Sequence, residues 1–239
     1  MNLNYIQEIR KLGTKSTEYP YSIPSISKLK QLKFDKPITF FVGENGSGKS
    51  TLLEAIAINS GLNPEGGSRN FNFNTSDTHS SLHENIKLIK SHIRPKDSYF
   101  LRAESFYNVA TEIDEIKDDI HKYYGNKSLH TISHGESFMT ILEKRLFGNG
   151  LYLFDEIESA LSVNRQIEAL AFIHSLIVRN SQFIIATHSP ILLSYPGADI
   201  FEFTDQGIQA IRYEDTEAYR VTKNYLTNYK HMQKALFGS

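Results

Sequence analysis

The run Gly43-Glu44-Asn45-Gly46-Ser47-Gly48-Lys49-Ser50-Thr51 fits the spacing G-x-x-x-x-G-K-S and sets a lysine and two hydroxyls directly behind a glycine-rich turn. Glycines let successive backbone N–H groups turn inward around an anion, and a helix opening near Gly48 would add the positive end of its dipole. Lys49 would neutralise phosphate charge and the Ser50 hydroxyl could ligate Mg²⁺. That chemistry suits the β- and γ-phosphates of ATP. An acidic centre follows downstream, where the apolar run Leu151-Tyr152-Leu153-Phe154 ends in Asp155 and Glu156. At a strand end Asp155 would hold the Mg²⁺ shell and Glu156 would polarise the water that attacks the γ-phosphate. Standing alone, such a pair would equally serve as a solvated loop or a helix cap.

Two further constellations point the same way. Phe183-Ile184-Ile185-Ala186 runs into Thr187-His188-Ser189-Pro190, which sets His188 at the carboxyl end of a buried strand, in reach of the γ-phosphate or the attacking water. No other histidine has a comparable placement. Ser133-His134-Gly135-Glu136-Ser137 stands just before a helical pattern and 22 residues ahead of Asp155. Read locally it is a helix start with a capping serine; read with the other motifs it is a second helix N-terminus able to grip phosphate.

The elements that must position these residues follow from periodicity. Tyr5 to Leu12 and Leu29 to Phe34 alternate as strands do, and Ile38 to Val42 is a β-branched and aromatic run feeding straight into Gly43. From Ser50 the spacing turns helical, with Leu52, Leu53, Ile56 and Ala57 on one side and Gly61 as the stop. Gly61 to Ser81 reads as a long surface loop. Leu82, Ile86, Ile89 and Ile93 predict one short amphipathic helix, and Ile113, Ile116, Ile120 and Tyr124 another, with a strand at Tyr99 to Ala103 between them. Beyond these, helices over Glu136 to Phe147 and Val163 to Val178 alternate with strands at Leu151 to Phe154 and Phe183 to Ala186, which implies parallel strands with right-handed crossovers. A helix starting at Pro190, a hairpin over Ile200 to Tyr213 and a helical stretch over Glu217 to Leu236 complete the expectation. The fold class is therefore α/β, with a mostly parallel central sheet, an antiparallel N-terminal β portion and a small helical insertion. The 239 residues fit one domain, 1–239, with the loop and insertion at 61–130 and the hairpin and helix at 197–239.

Composition narrows the partners. Lysine and arginine (26) nearly balance aspartate and glutamate (27), so no global positive field argues for a polyanion. Cysteine is absent, which removes disulfides, thiolate metal sites and thiol catalysis. Met1 to Gly13 lack the apolar core of a secretory signal, and no apolar run approaches the roughly 20 residues needed to span a bilayer. A soluble, cytoplasmic chain without membrane insertion is expected.

The order of P-loop, Ser-x-Gly-Glu, Asp-Glu and Thr-His-Ser-Pro resembles the ABC-type ATPase superfamily over nearly the whole chain, and within it the stand-alone bacterial ATPases of the SMC, RecF and OLD-like branch. Ser133 to Ser137 look like that superfamily's signature motif, Ser159-Ala160-Leu161-Ser162 like its D-loop, and His188 like its switch histidine. The resemblance implies a homodimer of heads around two ATP molecules, with Ser133, Gly135 and Glu136 completing the site on the other copy. Three positions depart from the pattern: His134 stands where glycine is usual, Ile157 where proline often follows the acidic pair, and Phe100-Leu101-Arg102-Ala103-Glu104-Ser105 where a Q-loop glutamine is expected. Glu104 is the candidate substitute, as a contact to Mg²⁺ or water, and Tyr19 or Tyr21 could stack on adenine.

Three functions remain open on this reading. A soluble Mg²⁺-dependent ATPase would drive a protein or DNA partner, in DNA repair or anti-phage defence. A nucleotide-binding subunit of a membrane transporter would need a separate permease. A nucleotide-gated binding module would turn over negligibly. About 84 residues separate Lys49 from Ser133, too few for long coiled-coil arms.

Overall fold

The computed structural model describes residues 4–13, 16–68, 80–104 and 134–238. In chain order, strand β1 (Ile6–Lys11) precedes a short helix α1 (Pro24–Lys28), whose Pro24 at the first helical position has the backbone angle a helix needs and no N–H to waste. Strands β2 (Gln31–Lys33) and β3 (Ile38–Gly43) lead to helix α2 (Lys49–Asn59), followed by the two-residue strand β4 (Gly67–Ser68). After a 3-10 turn at Ser81–Asn85 come β5 (Ile86–Lys90) and β6 (Asp97–Arg102). Helix α3 (His134–Arg145), β7 (Gly150–Asp155), α4 (Val163–Val178) and β8 (Gln182–Ala186) alternate as the periodicity predicts. The hairpin β9 (Asp199–Thr204) and β10 (Gly207–Ala210) and helix α5 (Glu217–Phe237) close the described chain.

Seven strands form one sheet in the order β10-β9-β3-β8-β7-β6-β4. The five central strands run parallel, and β10 and β4 join antiparallel at the two edges. A separate antiparallel sheet, β2-β1-β5, is the N-terminal β portion. Helices α3 and α4 pack their apolar faces on one side of the large sheet, around Tyr152, Phe154 and Phe183. Helix α2 lies on the other side with the small sheet, among Phe41, Phe100, Leu153 and Ile184. It is apolar on nearly all sides because it is enclosed between two sheets, and its only early charge, Lys49, is buried with it.

Two expectations are corrected. The stripe Leu82, Ile86, Ile89, Ile93 is not a helix: Ile86 to Lys90 form β5, paired antiparallel with β1 from Ile6↔Lys90 to Lys11↔Ile86. A spacing of three and four residues fits a helix locally, but β1 offers a sheet edge that these β-branched residues fill better. After Pro190 there is only a 3-10 turn, Leu192–Ser194, because Ser189 Oγ occupies the N–H groups of Ile191 and Leu192 and fixes a tight turn. The second stripe, Ile113 to Tyr124, lies outside the described residues.

One side chain joins the two sheets. Gln182, fully buried at the start of β8, accepts the Ile6 N–H at 2.9 Å and donates to the Ile6 carbonyl at 2.8 Å, so its amide extends the ladder sideways. Gln182→Leu would strand both backbone groups in the core. It is expected to cost about 2–6 kcal/mol, at roughly 1–3 kcal/mol for each orphaned group, read as a lower denaturation midpoint in urea with an unchanged slope.

Candidate active site

The strand order makes the site. Phe41 of β3, Ala186 of β8, Asp155 of β7 and Arg102 of β6 are register partners across four adjacent parallel strands. The loops leaving their carboxyl ends therefore open side by side, the usual ligand side of such a sheet.

The loop after β3 is held by close approaches only glycine permits. Gly43 has φ +136°, and a Cβ there would lie 2.4 Å from the Phe203 carbonyl; Gly48 has φ +99°, with a Cβ placed 2.9 Å from Ile26. Lys49 opens α2 and folds back over the loop, its Nζ donating to the carbonyls of Gly43 at 2.8 Å and Glu44 at 2.9 Å. Burial lowers its pKa, and the carboxylates of Glu156, Asp155 and Glu158 pull the other way. Ser50 Oγ donates to Asp155 Oδ1 at 2.9 Å. Asp155 is pushed up to about 6, chiefly by burial, against the opposing pull of Arg102 and the Ser50 hydrogen bond.

Glu156 is a non-glycine residue in left-handed backbone, φ +51° and ψ +41°, tied by its N–H to the Ala186 carbonyl at 2.9 Å. That conformation costs on the order of 1 kcal/mol or more and turns the carboxylate out of the sheet toward His188, whose Nε2 is 3.7 Å from Glu156 Oε1. Both side chains are a little over two-fifths exposed, open to solvent and to a ligand. The backbone around His188 is pinned at three points: Thr187 N–H to the Phe41 carbonyl, His188 N–H to the Glu158 carboxylate, and Ser189 Oγ to Gln166 Oε1 at 2.6 Å. Gln166 in turn donates to the Leu161 carbonyl at 3.0 Å, so the 159–162 turn and the histidine loop share one buried amide.

Of the residues predicted from sequence, the structure brings together Gly43 to Thr51, Asp155, Glu156 and His188. Ser133 lies outside the described residues. Gly135 and Glu136 open α3 on the face of the sheet opposite α2, and a Cβ on Gly135 would stand 3.1 Å from the Ala160 carbonyl. Glu104 follows β6 with an exposed carboxylate 3.5 Å from Arg102 Nη2. Tyr21 is buried and hydrogen-bonded to Ser81 and Asn85, whereas Tyr19 is exposed with its hydroxyl 3.3 Å from Thr51 Oγ1. Sequence reasoning missed Arg102, Glu158 and Gln166, whose roles depend on partners distant along the chain. A cavity of about 370 Å³ opens on the outer side of the loop beside Glu44, Glu202, Asp205 and Glu217, and it contains none of Lys49, Ser50 or Asp155.

Ser50 and Asp155 supply hard oxygen donors of the kind Mg²⁺ takes when phosphate oxygens and water fill its remaining positions, and the donor set fits that ion.

The chain belongs to the AAA domain family (AAA_23), whose profile matches residues 22–234. Its fold is that of ABC-type ATPase heads. It is similar to cbiO1 from Clostridium perfringens, part of the ABC transporter complex cbiONQ, at 16% identity and a TM-score of 0.55, covering 97% of this chain and 99% of that one. It is also similar to MJ1267, an ATP-binding cassette of an ABC transporter, at 14% identity and a TM-score of 0.53 over 93% and 96% of the two chains. A putative metal-chelate type ABC transporter matches at 16% identity and 0.51 over 92% and 88%. Identities so low speak for the fold alone. A comparison with curated proteins returns no match.

Asp155 yields a prediction about pH. Its raised pKa means that the folded chain holds this proton more tightly than an unfolded one. In metal-free buffer the stabilisation from protonation is full below about pH 4 and lost as pH rises through about 6. Asp155→Asn cannot ionise and should stay level over that window. Metal-free melts of both proteins should show a gap in favour of the variant that opens between about pH 4 and 6, on the order of 2–3 kcal/mol.

Proposed function

We propose that the chain binds ATP with Mg²⁺ at this site and hydrolyses it, as one of two copies that close around the nucleotide to act on a partner. The observation that carries the reading is the convergence of Lys49, the Ser50–Asp155 pair and the Glu156–His188 pair at the mouths of adjacent strands β3, β7 and β8.

The backbone N–H groups of Gly43 to Ser50 and the α2 N-terminus receive the β- and γ-phosphates, and Lys49 exchanges its two loop carbonyls for phosphate oxygens. Mg²⁺, held by Ser50 and Asp155, would neutralise charge on the phosphates as the terminal bond breaks. Glu156 accepts a proton from the attacking water at its carboxylate, and His188, its N–H held by Glu158 and the neighbouring Ser189 hydroxyl by Gln166, orients that carboxylate and the γ-phosphate. Tyr19 lies where an adenine ring could stack. Gly135 and Glu136 on the opposite face from α2 fit a role on the second copy's nucleotide, which supports association as part of the reaction. The partner process in this reading is DNA repair or anti-phage defence. Among the described residues no helix is long and apolar enough to cross a membrane.

Lys49→Ala is expected to abolish ATP binding in calorimetric titration. Glu156→Gln should retain ATP affinity, lose turnover by about 100-fold or more, and run as a dimer in size-exclusion chromatography with ATP and Mg²⁺. A Glu156→Gln protein that stays monomeric under those conditions removes the two-copy part of the proposal, and one that hydrolyses ATP at the original rate removes the role of Glu156.

A further inference from the structure

Arg102 brings to this site a positive charge that the phosphate-binding motifs do not require. It ends β6 in register with Asp155, and its side chain is only 15% exposed. Nε lies 3.6 Å from Asp155 Oδ2, on the carboxylate oxygen that Ser50 does not hold. Nη1 stands 3.3 Å from Glu54 Oε2 and donates to the Pro64 carbonyl at 3.2 Å, and Nη2 is 3.5 Å from Glu104 Oε2. Glu54 sits on α2 one turn beyond Ser50, so the guanidinium spans β7, α2 and the end of β6.

The four contacts are not equivalent. The pair with Glu54 falls within hydrogen-bond distance, whereas Nε, though buried, has no hydrogen-bond acceptor and faces Asp155 across a gap at which only charge acts. Asp155 needs a nearby cation because it is buried. Yet a guanidinium this close repels a divalent ion approaching the same carboxylate, and in a site of reduced dielectric such repulsion changes affinity strongly. Arg102 can release Asp155 without losing its place, because Glu54, Glu104 and the Pro64 carbonyl continue to hold it.

We propose that Arg102 is the resident counter-ion of Asp155, and that a divalent cation arriving with nucleotide displaces it from that carboxylate onto Glu54 and Glu104. The proposal rests on the reading of Ser50 and Asp155 as the metal-holding pair. Arg102 is then a positioning residue that sets metal affinity and passes the arrival of metal to Glu54 on α2 and to Glu104.

The test is Mn²⁺ binding followed by electron paramagnetic resonance on the whole chain with a non-hydrolysable ATP analogue. Arg102→Gln, which removes the competing charge, should tighten Mn²⁺ binding roughly tenfold. In an Asp155→Asn background the same substitution should have no such effect, and Arg102→Lys should stay within about twofold of the unsubstituted chain. In metal-free melts Arg102→Gln should unfold earlier, and Mn²⁺ with nucleotide should raise its midpoint more than it raises that of the unsubstituted chain. Unchanged or weakened Mn²⁺ binding in Arg102→Gln overturns the proposal and leaves the metal site standing. Absence of Mn²⁺ binding by the unsubstituted chain overturns both. If the glutamine variant does not fold, the Arg102 Nε resonance of the unsubstituted chain, assigned with Arg102→Lys, decides the matter. It should move when Mg²⁺ is added to the nucleotide-bound chain, and a signal indifferent to Mg²⁺ overturns the proposal.

Discussion

A carboxylate taken out of water must be given positive charge or a proton, and Asp155 is placed so that neither can be avoided. Burial lifts its pKa to about 6, and the groups within reach are a hydroxyl on α2, a lysine folded onto the phosphate loop and an arginine on the neighbouring strand. The hydroxyl and the lysine belong to the first turn of α2 and the arginine to the end of β6. Satisfying one carboxylate therefore fixes the relative positions of α2, β6 and β7, and the same demand makes the spot a natural seat for a divalent cation.

The sheet order supplies the geometry that this demand requires. Because β8 lies between β3 and β7, the strand carrying His188 separates the phosphate loop from the acidic pair by one interstrand step on each side. The left-handed backbone at Glu156 then matters, since it turns the side chain after Asp155 away from the core and toward His188. Glu158 and Gln166 hold the histidine loop through backbone and hydroxyl contacts, and Gln166 ties that loop to the Leu161 carbonyl of the 159–162 turn. That turn and α3 lie on the face of the large sheet away from α2.

How much of this was legible in the sequence depends on whether a residue acts through its neighbours or through distant partners. Gly43 and Gly48 could be assigned because the G-x-x-x-x-G-K-S spacing falls between a strand and a helical pattern, where the structure gives both a positive φ, and the bounds of α4 followed from its helical spacing, with Ser162 capping it in the fold. The segment Ile86 to Lys90 was misread because its partner, β1, lies some 80 residues earlier and periodicity carries no knowledge of a free sheet edge. Arg102, Glu158 and Gln166 gave no local signal. Their partners are Asp155 and Glu54, the His188 N–H, and the Leu161 carbonyl with Ser189, contacts that exist only once the strands are in register.

In the proposed function, the terminal phosphate of a nucleotide is cleaved where Lys49, Ser50, Asp155 and Glu156 meet. The most direct measurement is phosphate release from ATP by the purified chain, followed with Mg²⁺ present and again with the metal chelated. Turnover that depends on Mg²⁺ and disappears with chelation is the predicted result. No release under either condition, or release indifferent to the metal, would contradict it.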